Sequence, residues 1–463
     1  MKEVPCMSNA QHIAQFEPNW ESIRTHRVPN WYHDAKLGIF VHWGLFSVPA
    51  WATPVGEFGT VGWDRWFANN PYSEWYLNTL RIEDSPTHAH HRANYGSGFD
   101  YMDFAEEFNL RTRDWDPLSI AKLFKSSGAG YVVLTSKHHD GFTLWPSRVE
   151  NPHLPPERRC SERDLVGELT DAVRGLGLRM GLYYSGGLDW SFNPTPITSQ
   201  ELVGGTINHT PEFAAYADAH WRELRERYDP IILWNDIGYP EQADLAAIVA
   251  DFYNDHPDGL INDRFETRKP GSSRRHHDFK TPEYDQLGEI TPYKWESCRG
   301  LGYSFGYNRT ETDEHTLSET ELIHLLCDIV SKNGNLLLNV GPRADGSIPQ
   351  IQADRLRGLG AWLERNGEAI FGTRPWMRAT GETEDGLSVR FTAKGDAVNA
   401  IVLGRPGPDG IILQLDLPGR LRHATLLGSS AAVPASYENG RLQIRPSVPL
   451  PDAPAHALRI VIS

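Results

Sequence analysis

Cysteine is scarce in this sequence: four in 463 residues, Cys6, Cys160, Cys298 and Cys327. They are too few and too scattered for a disulfide framework. None forms a C-x-x-C pair, so a structural zinc site is not expected either. Long apolar runs are also missing. No stretch approaches ~18 consecutive apolar residues, which excludes a membrane-spanning helix. The opening segment MKEVPCMSNAQHIAQFEPNW has no apolar h-region, so no secretory signal is read and a cytoplasmic location is the expectation. Basic charge is in deficit: 45 Lys and Arg face 60 Asp and Glu, for a net charge of −15. That disfavours nucleic acid and an anionic membrane surface as partners, since both demand basic patches. What is present is ordinary for a folded globular chain, with 40% hydrophobic and 23% charged residues. At ~150 residues per domain the length suggests about three domains, but barrels run ~200–250 residues as one unit, so a barrel with one smaller module fits equally.

Over the first 370 or so residues short apolar runs alternate with helical stretches. The runs Lys36–Val41, Tyr131–Thr135, Leu178–Tyr183, Pro230–Leu233, Gly259–Ile261, Phe279–Thr281, Tyr293–Trp295 and Asn335–Asn339 read as strands. Helix ends are marked by Asp116–Pro117 and the stop at Gly128, by Thr210–Pro211, and by the capping box Ser318-x-x-Glu321. Ile351 to Arg365 is amphipathic. About eight βα units predict an α/β fold, a (β/α)8-like (TIM) barrel over residues 1–370. An open doubly wound sheet is the competing reading. Polar residues cluster at the ends of at least seven strands, which favours the barrel, because a barrel gathers all its strand ends around one pocket. No G-x-G-x-x-G follows the first strand, so nucleotide binding is disfavoured. Beyond Arg374 short alternating runs separated by Asp385–Gly386, Asp409–Gly410 and Asn439–Gly440 predict a C-terminal antiparallel β-sandwich over residues 375–463, with no chemistry of its own.

The polar strand ends supply the candidate chemistry. Asp236 closes the run IILWND, where a carboxylate is partly desolvated and aimed into the barrel mouth; a helix cap is the plainer reading. Glycoside hydrolysis needs a second carboxyl, for which Glu266, Glu283 and Glu296 are candidates. His42, His138 and His139 read as metal ligands or as hydrogen-bonding imidazoles. The second reading is preferred because the residue two after His42 is Gly44, not the second His of an H-x-H pair. Arg264 of INDR can pair with a carboxylate or donate to sugar oxygens. Trp43, Trp51, Trp63, Trp66 and Trp75 crowd the region after the first strand, with Glu74 beside the last of them.

Together, KLGIFVHWGLFSVPAWA, NPYSEWY, YVVLTSKHHDGFTLW, DLVGEL, GLYYSGGLDW, ILWNDIGYP, INDR, DFKTPEY, KWESCRGLGYSFGYN and NGNLLLNVGPRADG resemble glycoside hydrolase family 29, the α-L-fucosidases. The resemblance runs from about Trp31 to Gly346. It implies an exo-acting, retaining hydrolase of terminal α-L-fucose that works through a covalent fucosyl-enzyme. The Asp of the WND motif, Asp236, is then the nucleophile. The Glu of T-x-E-Y, Glu283, is the acid/base, with Glu296 of KWESC as the alternative. His42, Glu74, Trp75, His138, His139, Tyr183, Arg264 and Phe305 match the fucose-binding set. The resemblance implies no cofactor and no metal, and a fucosylated oligosaccharide or glycoside as partner. Family members are often oligomers, so a homo-oligomer is compatible with it, and no residue decides the matter. Two other readings stay open: a non-catalytic sugar-binding barrel, which would require loss of a carboxylate, and a metal-dependent barrel hydrolase, which a chelator would inactivate.

Overall fold

The computed structural model describes residues 15–266, 275–407, 409–428, 432–446, 450 and 452–463. Cys6 and most of the segment read for a secretory signal lie outside the described residues. Strands of a parallel sheet are covered on both faces and therefore need nearly continuous apolar runs. Seven such strands form one parallel sheet: β1 (Leu37–Val41), β2 (Tyr131–Lys137), β3 (Arg179–Ser185), β4 (Ile232–Asp236), β5 (Leu260–Ile261), β6 (Trp295–Gly300) and β7 (Gly334–Val340). Their order is β5-β4-β3-β2-β1-β7-β6. The sheet curls, and the segment after β5 spans the gap between its edges: Phe279 bridges Asn262 and Lys280 bridges Trp295, both parallel. The strand expected at Phe279–Thr281 is reduced to these two bridges. The result is a (β/α)8-like architecture with its strand ends gathered at one mouth.

The helices between strands start where the caps predict. Asp116 accepts from Leu118 N–H and opens Pro117–Ser126; Thr210 accepts from Phe213 N–H and opens Pro211–Tyr228. Ser318 and Glu321 form a reciprocal capping box before Glu319–Ser331. Among the strands formed, β6 departs furthest from its expected bounds, and β4 is shifted by two residues at its start. The sequence places β6 at Tyr293–Trp295, a run too short for periodicity to set its end. Here the strand runs on through Glu296 and Arg299, every residue buried, since both charges find partners inside. Glu296 accepts from Tyr32, Tyr131 and Trp234, and Arg299 donates to Glu57. Gly38 makes the first arrangement feasible: a Cβ there would lie 2.3 Å from the Tyr131 ring.

From Arg374 the chain is antiparallel. β8 (Arg374–Glu382), β9 (Ser388–Lys394), β10 (Ala397–Leu403), β12 (Leu421–Leu426), β13 (Ala432–Val433) and β16 (Ala455–Ile462) form one sheet, and β11 (Ile411–Gln414), β14 (Ala435–Glu438) and β15 (Arg441–Ile444) a second. The β14–β15 hairpin turns on Asn439 and Gly440, both at positive φ (52° and 78°), as a type I′ turn requires. Phe391, Val398, Ala400, Leu413, Leu442 and Ile460 belong to the core of this part. Its edge nearest the barrel packs on Glu319–Ser331, where Arg390 pairs with Asp328.

Candidate active site

β4 runs apolar through Trp234, then delivers Asn235 and Asp236 at the mouth. The chain turns at once. Ile237 is left-handed at φ 51° and Gly238 follows at φ 79°. A β-branched residue in that region costs about 1–3 kcal/mol and persists only where the surroundings impose it. The constraint is visible: Gly187 N–H donates to the Asp236 carbonyl at 3.2 Å, and a Cβ on Gly187 would fall 1.7 Å from the Ile237 carbonyl oxygen. Glu283 is likewise followed by a left-handed residue, Tyr284 at φ 53°.

Arg264 lies in the turn Asp263–Phe265 beyond β5. Its guanidinium sits over the Trp234 ring, 4.9 Å from the centroid, and Nε donates to Thr281 Oγ1 at 2.9 Å. So held, Nη1 donates to Asp236 Oδ1 at 2.8 Å and Nη2 to Glu283 Oε2 at 3.0 Å. Tyr183 hydroxyl donates to Asp236 Oδ2 at 2.8 Å, and Tyr72 hydroxyl to Glu283 Oε1 at 2.7 Å. Burial by itself would push the Asp236 carboxyl up. The Arg264 charge, with His139 and the Arg264 and Tyr183 hydrogen bonds, outweighs it and holds Asp236 below its ordinary value.

The three histidines are buried beside this pair. His42 Nδ1 is 2.7 Å from Asn339 Oδ1, and Asn339 Nδ2 donates to the Phe305 carbonyl. The amide orientation is thereby fixed, so His42 carries its proton on Nδ1. His139 Nδ1 is 2.6 Å from Ser185 Oγ, whose own proton goes to the Leu188 carbonyl; His139 is therefore also the Nδ1–H tautomer. Burial lowers His42 to about 3 and His139 to about 4, so both rings are neutral near pH 7 and leave Nε2 as a hydrogen-bond acceptor. His138 stacks over Tyr183 at 12°, is pushed down by burial and by its histidine neighbours, and has no hydrogen bond on its buried Nδ1.

Glu74 is 2% exposed. Its Oε2 accepts from Gly306 N–H at 2.8 Å and lies 3.2 Å from Ser304 Oγ. Burial is the chief cause that pushes it up to about 7. Trp75 stands edge-on to His139 and Trp190, and Phe305 packs against His42, Tyr72 and Tyr284. Asp236, Glu283, Tyr183, Arg264 and the histidine, Trp75, Glu74 and Phe305 group are thus brought together at the strand ends. Glu296 is not among them. It is 0% exposed, inside the barrel, where Tyr32 donates at 2.7 Å, Tyr131 at 2.5 Å and Trp234 Nε1 at 3.0 Å. Three protein donors occupy its oxygens and solvent does not reach it, so the structure does not bring the alternative acid/base candidate to the mouth. Glu266 faces His277 instead, 3.3 Å away. A separate cavity of about 430 Å³ lies on another side of Trp190, lined by Arg81, Phe99, Tyr101 and Asp140 among others, and holds neither Asp236 nor Glu283.

Sequence reasoning passed over Tyr72, Ser185, Ser304 and Asn339. Tyr72 lies in the quoted motif NPYSEWY, Ser304 in GLGYSFGYN and Asn339 in NLLLNV, so the motif blocks were the available signal; single Ser and Asn residues show nothing by themselves.

The chain as a whole has counterparts among known proteins. The profile of the alpha-L-fucosidase family matches residues 4–368. Alpha-L-fucosidase of Branchiostoma floridae is 35% identical over 435 residues, covering 90% of this chain and 88% of that protein. Tissue alpha-L-fucosidase of Homo sapiens is 35% identical over 437 residues, covering 90% and 85%. The structure of Thermotoga maritima alpha-fucosidase in complex with fucose superposes with a TM-score of 0.85 at 44% identity, covering 96% of this chain and 100% of that one. A family profile spanning most of the chain, and relatives aligned over nine-tenths of it, make the assignment: the chain belongs to the alpha-L-fucosidases of glycoside hydrolase family 29.

Proposed function

We propose that this fucosidase removes terminal α-L-fucose from fucosylated oligosaccharides or glycosides by double displacement, with Asp236 as nucleophile and Glu283 as acid/base. The observation that carries the reading is the shared guanidinium of Arg264, bonded to both carboxyls. It keeps Asp236 ionised and draws Glu283 toward it. Such proximity suits a retaining enzyme, with carboxyls ~5–5.5 Å apart, rather than the ~6.5–9.5 Å gap that holds a water in an inverting one. Asp236 attacks the anomeric carbon while Glu283 gives its proton to the departing glycosidic oxygen. Glu283 then takes a proton from water, which displaces Asp236. His42 and His139 present Nε2 to hydroxyl protons, and Glu74 accepts another. The orphaned Nδ1 marks His138 as a group whose pairing a sugar would complete. Phe305 forms an apolar wall for the C6 methyl.

The decisive experiment replaces Asp236 by Gly. Turnover should drop on the order of 10³-fold or more, and azide should restore product formation as the β-L-fucosyl azide. Wild-type hydrolysis followed by NMR should release the α-anomer first. Initial release of the β-anomer overturns the retaining assignment.

A further inference from the structure

The turn after β6 reaches three members of the pocket at once. Its Gly306 N–H donates to Glu74 and its Phe305 carbonyl accepts from Asn339, which fixes His42. Its Phe305 ring packs on His42. Ser304 Oγ accepts from Ser73 N–H at 2.9 Å, on the segment that carries Glu74. Two groups hold the turn from below: the Tyr284 hydroxyl, 3.0 Å from the Gly302 and Tyr303 carbonyl oxygens, and Glu311. Glu311 Oε1 accepts from Ser304 N–H at 2.7 Å. Its Oε2 packs so closely on Gly302 that a Cβ there would lie 2.0 Å away. The base of this loop is pinned in turn: Asn308 exchanges hydrogen bonds with Ala52, and Arg309 N–H donates to the Ala50 carbonyl. One carboxyl thus stands between a fixed base and a turn that serves Glu74, His42 and Phe305.

We propose that Glu311 is a positioning residue of the fucoside pocket: by accepting from Ser304 N–H and seating against Gly302, it sets the turn that orients Glu74 and Phe305. The proposal rests on the reading of Glu74 and Phe305 as sugar-contacting groups. Its requirement is for an acceptor of this length at this place, not for a negative charge. Gln keeps Oε1 where Glu has it; Asp keeps the charge but falls one methylene short.

The experiment compares Glu311→Gln, Glu311→Asp and Glu311→Ala in the full chain on an aryl α-L-fucoside, with thermal melting confirming that each is folded at the assay temperature. Misplaced binding groups cost ground state and transition state alike, so KM should rise ~10-fold in the Ala and Asp variants while kcat changes less, and Gln should restore KM to within ~2-fold. Glu311→Ala should also have a smaller effect when Glu74 is already Ala, because the two act in one chain of contacts. Wild-type KM in the Ala variant, rescue by Asp but not Gln, or additive effects with Glu74→Ala overturn the proposal. If Ala does not fold, the Gln and Asp variants decide it. Unchanged KM in Glu74→Ala alone would instead remove the underlying reading of the pocket, whatever Glu311 does.

Discussion

Asp236 and Glu283 are held on the two terminal nitrogens of one guanidinium, that of Arg264, at 2.8 and 3.0 Å. A double displacement asks opposite things of its two carboxyls: one ionised for attack, one able to hand over a proton. The surroundings of the two differ in their donors and in exposure. Asp236 accepts from Arg264, from Tyr183 hydroxyl and from Ile237 N–H, all of which favour its anion. Glu283 accepts from the neutral Tyr72 hydroxyl besides Arg264 and is the more exposed of the two, with 18% of its side chain accessible against 10%.

The first prediction concerns Arg264. Asp236 sits below its ordinary value against the effect of burial, chiefly through the Arg264 charge. Without the guanidinium, burial prevails and the carboxyl moves up. The acid limb of the kcat/KM profile in Arg264→Met should therefore lie at higher pH than in the wild type, and kcat should fall ~10²–10³-fold as a preorganised charge is lost. An acid limb that stays in place would separate Arg264 from the ionisation of Asp236.

The histidines should contribute no limb of their own near neutrality. His42 and His139 lie at about 3 and 4, and His138 is also lowered. The three rings should thus add no step to fucoside binding at the ordinary imidazole value of 6.5 beyond that of Glu74, which lies at about 7. Replacing any one by Ala should lower kcat/KM ~10- to 1000-fold, since each change leaves a sugar hydroxyl unpaired in the pocket. The reaction needs no Lewis acid in this scheme, so overnight dialysis against EDTA should leave kcat intact. Loss of activity on dialysis, restored by a divalent cation, would overturn the neutral-imidazole reading.

The strand ends were legible in the sequence because hydrophobic runs and polar punctuation are local signals. Asp236, His42 and His139 emerge at positions that the alternation of elements predicts. Two things were not legible. One was β6, where Glu296 and Arg299 look like the end of a strand; only the fold brings Tyr131, 165 positions away, and Trp234, 62 away, onto Glu296. The other was the supporting layer. Ser304 meets Glu74 across 230 positions and Asn339 meets His42 across 297. Hydrogen bonds between residues so distant leave no periodicity to read. The tautomers followed from them too: His42 and His139 each keep Nε2 as an acceptor.

Glu74 couples stability to pH. Its folded-state value of about 7 exceeds the ordinary 4.5, chiefly through burial. For a group raised on folding, the stabilising contribution is complete below about 4.5 and disappears as pH rises through about 7. Glu311, pushed up to about 8 by burial, acts in the same direction. The free enzyme should melt at lower temperature at pH 8 than at pH 6. Glu74→Gln should flatten that decline, because the amide does not ionise. Calorimetric melts across this range check it; equal slopes in wild type and variant would show that Glu74 is already ionised at pH 6.

The last prediction separates Glu283 from Glu296. Glu283→Ala should harm substrates with poor leaving groups far more than activated aryl fucosides, since a good leaving group needs little protonation. The alkaline limb of kcat/KM should flatten. Azide should rescue the variant with net retention: the first displacement inverts at Asp236, azide inverts again, and the product is the α-L-fucosyl azide. Glu296→Gln should behave differently. Glu296 accepts from two hydroxyls and one indole N–H, and an amide in its place turns an N–H₂ group toward donors. Each buried mismatch costs ~1–3 kcal/mol, so melting should drop by several degrees while the alkaline limb and the leaving-group dependence of the folded enzyme stay as in wild type. The two variants answer the question jointly. If Glu283→Ala keeps its alkaline limb and Glu296→Gln loses it, proton transfer must reach the barrel interior, and the geometry that places Glu283 opposite Asp236 is not the one that turns over.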